Sequence, residues 1–91
     1  MAVDVVRVVA QDPEFFLDDV GKEIERARKL FPEQDVWVTL AALTEEVGEL
    51  NQAILQYHHQ PHKGKTLNDI REEAVQVAAM AARVLLDTGL W

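Results

Sequence analysis

Val36, Leu40, Leu43, Val47, Leu50, Ile54 and Tyr57 recur in alternating steps of four and three. At 3.6 residues per turn this spacing lines one side of a long α-helix, and it matches no strand. It is the pattern of a bundle seam, so the helix must bury its stripe against other helices. The preceding segment supplies one. Asp12 is placed to cap, Pro13 suits the first helical position, and Glu14 favours the positive end of the helix dipole. Phe16, Val20, Ile24, Ala27 and Phe31 then form a stripe that Pro32 ends. Gln34 or Asp35 opens the seam helix. The stretch from Tyr57 to Lys65 breaks its pattern. Thr66 restarts a helix, with Asp69 completing a box-like cap, and this third helix runs to about Asp87 and stops before Gly89.

The third helix carries apolar residues on nearly every side. Ile70, Ala74, Val77, Ala81 and Val84 make the expected stripe, and Val75, Ala78, Ala79, Ala82 and Leu86 cover most of the remainder. Such a helix is buried on more than one side. Three helices in 91 residues cannot wrap it fully, so self-association through its small residues is expected. The alternative is that the N-terminal segment and Leu90-Trp91 fold over it. Val3 to Ala10 is β-branched but has no second strand to pair with, and reads as an arm or a short helix. The expected fold is all-α: one domain, residues 1–91, built as a bundle of three main helices and completed by self-association.

An apolar fraction of 48% against 27% charged marks a globular chain. A net charge of −7 argues against a nucleic-acid polymer as partner, because displacing counterions from phosphates needs Lys and Arg. With no cysteine, disulfides and thiolate metal sites are excluded. The N-terminal apolar run is too short for a signal or a membrane span, so a cytoplasmic protein without membrane contact is expected.

Chemistry concentrates in Leu43-Thr44-Glu45-Glu46-Val47-Gly48-Glu49-Leu50, and Ile70-Arg71-Glu72-Glu73-Ala74-Val75-Gln76 nearly repeats its geometry. Measured from the seam, Glu46 lies about 80° and Glu49 about 140° to one side; Glu73 and Gln76 take the same offsets from the third helix's stripe. Each helix therefore offers an inner and an outer polar group along one edge of its core face. Antiparallel packing would bring the two edges together, and carboxylates gathered there would repel unless a cation neutralised them. The plainer alternative is a set of solvated flank residues paired loosely with Arg71 or Lys22.

These motifs resemble the MazG-like group of all-α nucleoside triphosphate pyrophosphohydrolases. Its signature is Glu-x-x-Glu and Glu-x-x-Asp on two helices, separated by roughly a dozen to under thirty residues. Here residues 50–72 separate the pairs, and Arg28-Lys29-Leu30-Phe31-Pro32 also reads like small MazG-like proteins. The resemblance spans residues 24–86. It implies an Mg²⁺ site, with Mn²⁺ as substitute, that holds a nucleoside triphosphate. It implies metal-binding and catalytic roles for Glu46, Glu49 and Glu73. Gln76 stands where the fourth acid belongs: an amide oxygen can ligate a hard cation but brings no charge and cannot take a proton from water.

Asp69, one turn before Glu73, and Glu45 or Glu72 are candidate auxiliaries; capping with Thr66 is the competing role for Asp69. Lys63 and Lys65, beside His58, His59 and His62, are candidate phosphate contacts. So is Arg83, which pairing with Asp87 would otherwise engage. Trp37 reads as a core anchor more than a base-stacking residue. Three functions follow in order. The first is a pyrophosphohydrolase releasing pyrophosphate and a nucleoside monophosphate. The second is an impaired MazG-like nucleotide-binding or interaction module, for which Gln76 argues. The third is a metal-free helical docking protein.

Overall fold

The computed structural model describes residues 12–32 and 35–91, and the expectation for Val3 to Ala10 lies outside them. The fold is all-α: α1 (Pro13–Leu30), α2 (Val36–His59), a 3₁₀ turn (Pro61–Lys63) and α3 (Leu67–Leu86). The cap residues set each start. Asp12 accepts from the Glu14 amide, Asp35 from those of Trp37 and Val38, and Thr66 forms a reciprocal box with Asp69. α2 runs two residues past Tyr57, so His58 and His59 close its last turn rather than opening a loop. Gly64 follows the 3₁₀ turn at φ 74°, a left-handed backbone that glycine adopts without a Cβ clash.

α3 packs along α2 over its larger interface and along α1 over its smaller, whereas α1 and α2 share no packing surface among the described residues. The result is an open layer with α3 in the middle. Its Cα radius of gyration is 15.0 Å, against about 12 Å for a compact domain of this length. Burial of α3 from two sides matches its all-round apolar pattern. Leu90 and Trp91 do not cover it. The Trp91 amide donates to the Leu85 carbonyl, but both side chains are exposed.

The packed faces are not the ones the apolar spacing suggests. On α2 the fully buried residues are Thr39 and Ala53, while Leu40, Val47 and Ile54 of the seam are exposed. The face against α3 is thus turned by about 70° from the seam, toward Glu46. On α3 the fully buried residues are Ala79 and Arg83, lying about 140–180° from the centre of the expected stripe, where Ala81 is exposed. Small side chains let helices approach closely, and the contact runs through Thr39, Ala53 and Ala79. Leu43, Leu50, Ile70, Val77 and Val84 are half-buried around it, and Leu40, Val47 and Ile54 lie outside. Trp37, expected as a core anchor, is 75% exposed in the first turn of α2.

Arg83 anchors the far end of the layer. Its Nε donates to Asp87 Oδ2 at 2.6 Å and its Nη2 to the Phe31 carbonyl. Asp87 also accepts from Arg28 Nε at 3.0 Å and Nη2 at 2.7 Å, which fastens the end of α1 to the end of α3. Two guanidiniums around one carboxylate hold Asp87 below the usual range, with the Arg28 hydrogen bond as the main cause. Buried and engaged on two sides, Arg83 is not open to a phosphate, and its expected phosphate role is corrected to that of a strut.

Candidate metal centre

The turn of α2 toward α3 carries Glu46 into the interface and brings Glu49 to its edge. Glu73 arrives from α3, and one oxygen from each of the three carboxylates lies within 4.8 Å of the others. Glu46 and Glu73 are half-buried, and Glu49 is exposed.

Three like charges this close need relief. Arg71 and Lys22 supply none, because Arg71 faces Asp19 at 4.0 Å and Lys22 pairs with Asp18 at 3.0 Å. Among the described residues Lys65 alone opposes the charge, at Glu73. The solvated-flank alternative placed those two cations against the triad, and the structure pairs them elsewhere. Glu46 Oε2 and Glu73 Oε2 are buried and accept no hydrogen bond. A buried acceptor without a donor costs about 1–3 kcal/mol, more when charged. Burial is the main cause that pushes the Glu46 carboxyl up to about 7, followed by the charges of Glu49 and Glu73. Glu73 is raised too, again mainly by burial and then by Glu49, with Lys65 opposing. The donor set is hard oxygen, and two of its oxygens lack a partner. It fits a hard divalent cation.

The remaining candidates fall on either side of this centre. The Asp69 carboxylate accepts from the Thr66 amide at 2.7 Å and from the Thr66 hydroxyl at 3.0 Å, which holds its proton affinity low and commits it to the cap. It does not join the cluster. Glu45 is exposed on the far side of α2, and Glu72 accepts from Asn68 Nδ2 at 3.1 Å. Lys65 stands within electrostatic reach of Glu73, and Lys63 is exposed in the 3₁₀ turn. His58 packs edge-on against Tyr57, with ring centroids 5.0 Å apart. Among the described residues the histidines form no metal cluster.

Gln76 faces a cleft of about 410 Å³ between α1 and α3, lined by Asp19, Glu23, Asn68, Arg71, Glu72 and Val75. Glu23 is the residue that the apolar spacing hid. It lies three positions after Val20 and four before Ala27, on the inward side of α1. That placement of an acid among apolar positions was the signal available. Its charge acts on Glu46 across the layer.

No protein-family model, curated protein or solved structure matches the chain.

Proposed function

We propose that the chain is a nucleoside triphosphate pyrophosphohydrolase of MazG-like type that works with Mg²⁺, or with Mn²⁺ in its place. The observation that carries this reading is the convergence of Glu46, Glu49 and Glu73 with two buried carboxylate oxygens left without donors. Glu46, Glu49 and Glu73 would hold the ion, which when bound supplies charge neutralisation at the phosphates. Burial and the neighbouring carboxylates raise the Glu46 carboxyl to about 7 in the metal-free site, so its proton would be displaced on ion binding. Glu49, exposed at the mouth, would orient the attacking water and, as a carboxylate, take up its proton as pyrophosphate leaves. Lys65, within electrostatic reach of Glu73, and Lys63 would meet the triphosphate oxygens. Nucleotide binding at Glu46, Glu49 and Glu73 through a cation reconciles an anionic ligand with a chain of net charge −7.

We also propose self-association, because Leu40, Val47 and Ile54 form an apolar line on α2 that nothing in the described chain covers.

The second reading, a module that binds nucleotide without turning it over, is favoured by Gln76 alone. Incubation with Mg²⁺ and a panel of canonical and modified nucleoside triphosphates, with pyrophosphate as readout, separates the two. Hydrolysis is expected in the wild type, with a loss of at least about a hundredfold in Glu46→Gln. No release from any substrate, with release gained in Gln76→Asp, would support the module and defeat the enzyme.

A further inference from the structure

We propose that Glu23 supplies the fourth carboxylate of the site from α1, across the cleft that Gln76 lines, so that the acid absent from α3 has been relocated. The inference rests on the metal reading of Glu46, Glu49 and Glu73. Glu23 and Gln76 line one cleft from opposite helices, and Gln76 lies one turn along α3 from Glu73. Glu23 itself stands outside the triad's grouping, so its carboxylate would have to swing toward a bound ion. The acids of α1 differ in orientation. The Glu23 side chain is 18% exposed, against 41% for Asp19 and 65% for Asp18, so Glu23 is the one turned inward. Its field reaches Glu46 although α1 and α2 do not pack on one another. The oxygens at Glu46 and Glu73 that accept nothing are the separate sign that a ligand belongs there.

Charge explains the pairing of glutamate at 23 with glutamine at 76. The cleft already holds Asp19, Glu23 and Glu72, and an acid at position 76 would add to their repulsion. An amide removes that repulsion and can donate to a carboxylate opposite it. Arg26 does not exclude the role. Its Nε and Nη2 donate to Glu23 at 2.9 and 2.6 Å from the solvent side, with Arg26 itself 57% exposed. Both Glu23 oxygens are engaged by this bidentate pair, and each keeps a lone pair for a second partner. The carboxylate can exchange Arg26 for a divalent ion.

The test is Mn²⁺ affinity, read by electron paramagnetic resonance of the free ion. Glu23→Gln is expected to weaken binding at least tenfold while the metal-free protein melts as wild type. Gln76→Asp added to Glu23→Gln is expected to restore it, and Arg26→Ala, which frees the acid, to leave binding equal or tighter. Asp18→Asn is the same-helix control without effect. Wild-type affinity in Glu23→Gln overturns the proposal, as does a tenfold gain from Gln76→Asp alone, which would mean the acid was missing. Failure of the underlying site is distinguishable: Glu46→Gln would then bind Mn²⁺ as the wild type does.

Discussion

Glu46 works against the fold that holds it. Its carboxyl is raised from 4.5 to about 7, so below pH 4.5 it is protonated folded or unfolded and carries no penalty. Above pH 7 it is charged in both states, and the folded state bears the full cost of burial and repulsion. Through this group, metal-free stability falls as pH rises from about 4.5 to 7. Glu46→Gln is therefore expected to raise metal-free stability at pH 8 by about 1–2 kcal/mol, measured by urea denaturation, while Mg²⁺ ceases to raise its melting temperature. A glutamine variant no more stable than wild type would contradict the strained triad. The same proton competes with the ion. Mg²⁺ affinity is expected to climb by up to about tenfold per pH unit below 7 and level off above it, with proton release on binding. Calorimetry in buffers of different ionisation enthalpy reads that release directly. Asp87 acts in the opposite sense: its lowered carboxyl stabilises the fold above the unfolded value of 3.8, and that contribution is lost as pH falls through the folded value.

At the scale of elements, the caps were legible and the packed faces were not. Asp12, Asp35 and the Thr66–Asp69 box start the helices where their residue types require. Thr66→Ala is expected to cost about 1 kcal/mol without changing metal affinity; a loss of affinity would return Asp69 to the site. The clasp at the other end is worth more. Asp87→Asn leaves the buried Arg83 guanidinium short of its counter-charge, and a loss of about 3 kcal/mol is expected. Thermal unfolding checks it. The apolar spacing found residues that are half-buried, such as Leu43, Leu50, Ile70 and Val77, but missed the most deeply buried ones. The reason is that it ranks side chains by hydrophobicity, whereas close approach selects small ones. Thr39, Ala53 and Ala79 are the residues buried, and Glu46 lies on the same side of α2 as the first two.

The whole molecule is an open layer of three helices, with α3 covered from two sides and α2 from one. Leu40, Val47 and Ile54 keep a seven-residue spacing on the uncovered side of α2, the repeat that a neighbouring helix would fill. Self-association through that line is expected to be broken by Leu40→Glu with Ile54→Glu, read by sedimentation equilibrium at micromolar concentration. A wild type that sediments as a monomer would sink it.

Helix content, helix starts and the motif glutamates were determined by the sequence alone, because capping, proline placement and 3.6-residue spacing are local. Which glutamates share a site was also within reach, since Glu46 and Glu73 occupy matching offsets on their helices. Three matters were decided only by the tertiary structure. The rotation of α2 and α3 depends on mutual fit, which no single helix encodes. Arg83 lies on what reads as the polar side of its helix, yet Asp87 and the Phe31 carbonyl compensate its charge and let it be buried. Glu23 faces the cleft of Gln76 because α1 packs on α3 alone. Charge compensation and proximity belong to pairs of elements, and such pairs exist only once the chain has folded.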